Sequence, residues 1–218
     1  SAEYRYQYLV GFTHEMSGFT SVYPTVDHTA DTLVRITRRY QGDMAKYDKF
    51  DMKILRTDNG PEMCSHVYQT YLADARVTWE RSAPYVHEQV GLQERRWGIL
   101  IPRAMAMLRQ GAARLGHWAR YAAHLVNLEP MRRGDDYRSP YERLTGRAPH
   151  LAPVKTFYAR MWAALPAEQR EHKFSDRAVE GRFVGLAANG SAWVMYSTDL
   201  PRNRHFTVVQ ARFDESDI

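Results

Sequence analysis

From about residue 175 onward the apolar residues recur on a β-type rather than a helical period, and this switch constrains the fold more than any other feature. Residues 181–185, 192–197 and 205–213 are short aromatic or β-branched runs, joined by Asn189-Gly190 and by the Asp-Leu-Pro-Arg-Asn stretch at 199–203. They predict a small all-β module over residues 175–218. Upstream, strand-like and helix-like segments alternate, which predicts an α/β domain over residues 1–150. Residues 151–174 are then the linker.

Within the first domain, residues 6–13 and 19–23 read as paired strands separated by Ser17-Gly18, with Pro24 closing the second. Ala30, Leu33, Val34, Tyr40, Met44 and Tyr47 recur near helical spacing, behind Asp27 or Thr29 as N-cap. Residues 52–57 form a third strand, stopped by Asp58-Asn59-Gly60-Pro61. A short helix over 66–73 and a strand over 76–80 follow, and then the loop 82–86. Residues 88–108 are helical in pattern, but Gly98 and Pro102 lie inside, which predicts a kink or break near Pro102. Leu115, Trp118, Ala119, Ala122, Leu125 and Val126 mark a second long helix ended by Pro130. Ser139-Pro140 opens a last short one, stopped by Gly146 and Pro149.

Composition excludes several classes. The chain has 218 residues, 44% of them apolar and 25% charged, within the range of folded soluble domains. Its one cysteine, Cys64, cannot form an internal disulfide or a thiolate-rich zinc site. No stretch approaches the roughly 20 apolar residues of a membrane span, and the first residues lack a signal-peptide layout. An intracellular protein with no membrane association is the expectation.

The formal charge of +5 is unevenly placed. Residues 95–147 hold eleven arginines against four acids, a local +7, so the remainder of the chain is at −2. Arginine's planar fork suits phosphate contacts, and the stretch is a candidate nucleic-acid surface. A solvated arginine-rich face is the plain alternative.

Asp58, at a strand end, and Glu94, one turn into a helix, are separated by 35 residues. Carboxylates so placed can converge, as two-metal phosphoryl-transfer sites require, where hard cations about 3.5–4 Å apart are held by oxygens. Asp-Asn-Gly is also a common turn, and a glutamate beside two arginines is usually a solvated charge.

The residues around them carry a resemblance. Leu55-Arg56-Thr57-Asp58-Asn59-Gly60, Glu62, Ser82-Ala83-Pro84-Tyr85 and Gly91-Leu92-Gln93-Glu94-Arg95 resemble, in order and spacing, the integrase core of copia-type long-terminal-repeat retrotransposons. His117-Trp118-Ala119, Ser139-Pro140-Tyr141-Glu142, Lys173-Phe174, Asp176-Arg177-Ala178, Glu180-Gly181, Phe183-Val184-Gly185 and the closing Ala211-Arg212-Phe213-Asp214-Glu215 extend it over nearly the whole chain. The resemblance implies an α/β, RNase H-like core with a mixed five-stranded sheet flanked by helices, followed by an SH3-like β module. It implies DNA as partner, a possible homo-oligomer, nuclear residence, and Mg²⁺ or Mn²⁺ as cofactor if the site is active.

By the same resemblance Asp58 and Glu94 are the second and third catalytic carboxylates and metal ligands, and His14 stands where the first, an aspartate, belongs. That aspartate bridges both metals with two oxygens. Imidazole offers one softer nitrogen donor at a time. Glu15 is a poor substitute, because adjacent strand side chains point to opposite faces. Val90, Trp97, Gly98 and Pro102 also depart from the family pattern. The expectation is therefore an integrase-type DNA-binding domain, a polynucleotidyl transferase by ancestry, with impaired catalysis. The alternatives are an active divalent-metal-dependent DNA integrase or nuclease, and a host-retained, non-catalytic DNA- or protein-interaction module. DNA contacts are expected through Arg95, Arg96, Arg103, Arg109 and Arg114.

Other chemistry-bearing residues have plainer readings. His117 and His124 receive no role, Cys64 reads as a packed thiol, and Trp193, Tyr196 and Phe206 read as the core of a small barrel rather than as a base-stacking platform.

Overall fold

The computed structural model describes residues 6–47, 50–58, 60–81, 91–110, 115–164, 177–187, 190, 192–197 and 205–216. The chain forms two compact units, Ser1–Pro102 with Ala123–Pro149, and Arg103–Ala122 with His150–Ile218.

In the first unit, β1 (Tyr8–Thr13) and β2 (Thr20–Thr25) pair antiparallel, from Tyr8 opposite Thr25 to Thr13 opposite Thr20. Pro24 lies inside β2, opposite Leu9, rather than closing it. The Gln7 amide donates to the Thr25 carbonyl, so odd-numbered residues of β2 face β1 and even-numbered ones face outward. Pro24 thus forfeits no ladder bond, the condition under which proline is tolerated in a strand. Helix α1 (Ala30–Met44) is capped by Thr29, with Asp27 Oδ1 in turn accepting from the Thr29 amide at 3.1 Å. Its inner face holds Leu33, Ile36, Tyr40 and Met44, and Thr32 and Thr37 as well. Thr37 is accommodated because its hydroxyl bonds the Leu33 carbonyl at 2.8 Å and lies 3.0 Å from the Tyr68 hydroxyl.

β3 (Ile54–Thr57), α2 (His66–Asp74) and β4 (Thr78–Arg81) make a β-α-β unit, with β3 and β4 parallel. Crossover through a helix is the usual way to join parallel neighbours. Phe12, Tyr23, Ile36, Tyr40 and Met44 form one apolar cluster, and Leu33, Tyr68, Leu72 and Val77 another. Val10 and Leu55 pack against both, so β1 and β3 share a core. Phe12 stacks on Tyr40 at 4.3 Å, a contact worth about 0.5–1.5 kcal/mol beyond area burial. Among the described residues the mixed sheet appears as two separate two-stranded ladders, one antiparallel and one parallel.

Helix α3 (Gly91–Gln110) is assigned without a break through Pro102, where the sequence had suggested one. Proline removes a single i→i−4 bond, here to Gly98, and the turns on either side remain helical. The chain passes to the second unit at Pro102 and returns at Ala123, within α4 (Leu115–Leu128). The short α5 (Pro140–Thr145) has the expected ends. Ser139 Oγ accepts from the Glu142 amide at 3.1 Å, Pro140 occupies the first turn, and Gly146 closes the helix in the left-handed conformation at φ 71°.

The second unit carries a five-stranded, wholly antiparallel sheet of order β8-β7-β6-β5-β9. Its strands are β5 (Arg160–Ala164), β6 (Ala178–Leu186), β7 (Trp193–Tyr196), β8 (His205–Val208) and β9 (Ala211–Asp214). β5 lies inside the expected 151–174 linker and pairs on both sides. Met161 and Ala163 are buried while Arg160 and Trp162 are less so, and Arg160 forks onto Glu180 of β6 at 2.7 and 2.8 Å. Gly181 is required in β6, since a Cβ there would strike the Tyr196 carbonyl and the Met195 side chain. Register shifts between Phe183 and Gly185, a bulge that adds twist. Several expected features lie outside the described residues: the 82–86 loop, Val90, Asn59, Lys173-Phe174, Asp176, Asn189 and 199–203.

Candidate functional site

The β1–β2 turn is built around His14. Its amide donates to the Phe19 carbonyl and its carbonyl accepts from Gly18, at 2.8 and 2.7 Å. Its Nδ1 lies 2.8 Å from Ser17 Oγ, which also accepts from the Phe19 amide at 3.1 Å. Burial, partly opposed by Glu15, holds the imidazole below its ordinary pKa, so it is uncharged at neutral pH. Glu15 turns elsewhere, with Oε1 3.5 Å from Arg56 Nη1, and Arg56 is in turn 2.8 Å from Glu80, its register partner on β4. These are exposed pairs and contribute little to stability.

Asp58 follows the last residue of β3, exposed, with Oδ1 accepting from the Gly60 amide at 3.4 Å. Thr57 Oγ1 donates to the Asp58 carbonyl at 2.8 Å and accepts from Trp79 Nε1 at 2.9 Å, which fixes the strand end. Glu94 is exposed in the first turn of α3, where the helix dipole favours a carboxylate. The same helix turns Gln93 and Trp97 onto the bare Cα of Gly11, where a Cβ would collide with both. Trp97, a departure from the family pattern, thus has a packing role.

Among the described residues no group of three or more His, Cys, Asp or Glu side chains could hold a metal ion. His14, Asp58 and Glu94 make no such three-residue group. The His14 ring itself is engaged by Ser17.

The arginines divide. Arg95 and Arg109 are exposed on α3 and Arg103 is half-buried, while Arg114 lies outside the described residues. Arg96 is a correction. It is only 5% exposed, so it is no surface phosphate contact. Its guanidinium fills the space that a side chain at Gly18 would occupy, and Nη1 reaches Met131 Sδ at 2.6 Å. Burial first, then Arg143 and Arg133, lower its pKa.

Two features escaped the sequence reading. Asn127, buried on α4, holds the backbone of Thr20 through two hydrogen bonds. A lone amide within an apolar helix stripe was its only signal. The other is a cavity of about 350 Å³ lined by His14, Ser17, Arg133, Asp136, Arg138 and Arg143, among others. Its arginines were visible only as members of the basic stretch.

Residues 1–87 match the family model of the integrase core domain. The chain is 24% identical over 182 residues to the Retrovirus-related Pol polyprotein from transposon TNT 1-94 of Nicotiana tabacum, covering 82% of this chain and 13% of that polyprotein. In fold it is similar to a chain of the simian T-cell lymphotropic virus intasome in complex with PP2A regulatory subunit B56 gamma, with a TM-score of 0.54 at 16% identity over 92% of this chain and 69% of that one. It is also similar to the catalytic core domain of BIV integrase, with a TM-score of 0.51 at 20% identity over 62% of this chain and 84% of that one. At such identities the likeness is one of fold, and it agrees with an RNase H-like α/β architecture. No helix among the described residues is long and apolar enough to cross a membrane. Residues 1–87 are thus similar to the integrase core domain family, and the chain as a whole to part of a retrotransposon-related polyprotein.

Proposed function

We propose that this integrase core binds DNA through exposed arginines and that its metal-dependent strand-transfer centre is impaired. The observation that supports the reading is the His14 imidazole, 2.8 Å from Ser17 Oγ and held below its ordinary pKa, at the position where the resemblance places a carboxylate. A bridging carboxylate at that position would add the third negative charge needed to hold two dications close together. Neutral imidazole supplies neither the charge nor the bridge. Arg95 and Arg109, both exposed, support phosphate-directed binding. The copia-type assignment rests on the ordered motifs from Leu55 to Glu215, and the SH3-like reading of the tail on the antiparallel sheet that its strands form with β5. Nuclear residence and assembly as a homo-oligomer belong to the same proposal.

The test is calorimetric Mn²⁺ titration of wild type, His14→Asp and Asp58→Asn, beside a disintegration assay on branched DNA. Wild type should join no strands, and His14→Asp should gain metal affinity. Robust wild-type activity that Asp58→Asn abolishes would establish the alternative, an active divalent-metal-dependent integrase.

A further inference from the structure

The cavity at the β1–β2 turn is lined by His14 but by neither Asp58 nor Glu94. Three arginines line it against one carboxylate, Asp136, and all belong to the first unit. We propose that this cavity is a binding pocket for a phosphate group.

Each arginine is held in place by part of its fork and keeps the rest. Arg133 Nη1 donates to the carbonyls of Glu15 and Met16, at 2.8 and 2.5 Å, which ties the 131–138 segment to the hairpin tip. Arg143, with only 7% of its side chain exposed, donates through Nε to Asp136 Oδ2 at 3.0 Å and through Nη2 to the Met131 and Asp136 carbonyls. Arg138 donates through Nε and Nη2 to the two Asp136 oxygens at 3.1 and 3.0 Å. Arg133 Nη2, Arg138 Nη1 and Arg143 Nη1 have no protein partner among the described residues. These are positioned donors, the kind that cost little to organise when an anion arrives.

The charge balance points the same way. Asp136 is held strongly ionised, first by its hydrogen bonds to Arg138, and within the lining offsets one of three guanidinium charges, while Glu142 acts on Arg138 from outside it. His14 contributes no charge of its own at neutral pH. Behind the lining, the buried Arg96 has sulfur as its partner and no carboxylate among the described residues, and Arg143 and Arg133 are near enough to destabilise its charge further. The side chains of Arg143 and Arg96 are buried while Arg133 and Arg138 are exposed, and buried guanidinium charge with so little compensation is costly unless an anion completes it. One carboxylate would be satisfied by a single fork. Several forks around one cavity suit a phosphate, which offers more oxygens and more charge.

The inference goes beyond the DNA-binding reading and stands without it, because the probe is inorganic pyrophosphate with no DNA present. Calorimetric titration of the whole chain at low salt should show saturable pyrophosphate binding, with acetate at the same ionic strength far weaker. Arg138→Gln, at an exposed residue, should weaken binding by about tenfold, the usual effect of losing one charge-assisted contact. Asp136→Asn should tighten it several-fold, a gain that mere loosening of the loop would not produce. Thermal melts of both variants check that each is folded. A short duplex that displaces pyrophosphate identifies the phosphodiester backbone as the source of the phosphate, and simultaneous binding of both identifies a free phosphorylated small molecule. No saturable binding by folded wild type, acetate binding as tight as pyrophosphate, or an Arg138→Gln affinity equal to wild type would overturn the proposal.

Discussion

Asn127 on α4 hydrogen-bonds both backbone groups of Thr20, accepting from its amide at 2.8 Å and donating to its carbonyl at 2.7 Å. Thr20 begins β2, and its amide and carbonyl point away from β1. The side-chain amide therefore acts as the neighbouring strand that this edge of β2 lacks among the described residues, and it joins residues 107 positions apart. At 3% exposure, water cannot replace it.

Asn127→Leu should consequently be among the costlier single changes in the first unit. It keeps the volume but strands one buried N–H and one buried C=O, each worth about 1–3 kcal/mol when left unpaired. Asn127→Asp retains the acceptor, loses the donor and sets a charge against the Thr20 carbonyl, so it should be at least as damaging. Urea unfolding is the measurement. A loss under about 0.5 kcal/mol for Asn127→Leu, the range of an ordinary surface change, would mean that the clasp does not exist in solution.

The sequence made local signals legible and missed those that depend on partners far along the chain. The Ser139-Pro140 start and Gly146 stop of α5 are set by residues within one turn, and the structure has them as read. Pro24 misled because its tolerance depends on which way β2's carbonyls face, a matter of pairing rather than of local sequence. The strand Arg160–Ala164 escaped because its buried positions are Met161 and Ala163, and alanine carries little strand signal. Residues 205–213 were read as one run and are two strands, β8 and β9, divided at Val209 and Gln210. Motif order singles out Asp58 and Glu94 as candidates. The Arg96 placement could not be read in that way, because its burial depends on Gly18 leaving room for it.

That dependence on Gly18 is testable. The residue sits at φ +73°, and a side chain there would meet the Arg96 guanidinium. Alanine should cost about 1–2 kcal/mol for the left-handed backbone alone, with a further loss because buried Arg96 must move. Arg96→Met in the Gly18→Ala background should recover the second part and leave the first. Equal stability of Gly18→Ala and wild type in a thermal melt would rule out this turn geometry.

In the second unit, the His117 ring stacks on His205 at 4.5 Å, and burial, then His205, then Arg120 push its pKa down to about 4. Its ordinary value is 6.5, so between these two the unfolded chain binds the proton and the folded one does not. Stability should fall as pH drops from 6.5 toward 4, by at most about 3 kcal/mol from this group. His14 and His124, also lowered, act in the same direction. Urea midpoints taken between pH 7 and pH 4.5 should slope less in His117→Gln than in wild type. Parallel slopes would show that the ring is not held neutral.

The DNA-binding reading predicts a division among the arginines. Arg95 and Arg109 are exposed, so a phosphate contact by either releases counterions, and log affinity should fall with log salt by about 0.9 per phosphate neutralised. Arg95→Gln and Arg109→Gln should each weaken binding to unrelated duplexes alike and lower the salt slope by about one. Arg96 neighbours Arg95 in sequence but is buried beneath the Gly18 turn. Arg96→Met should leave the slope unchanged while altering stability, because its guanidinium meets the protein and not the solvent. Fluorescence anisotropy across a salt series reads both quantities on the same samples. Affinity flat with salt in wild type would point to a protein partner in place of DNA, and a slope change in Arg96→Met equal to that in Arg95→Gln would contradict the buried placement on which the contrast rests.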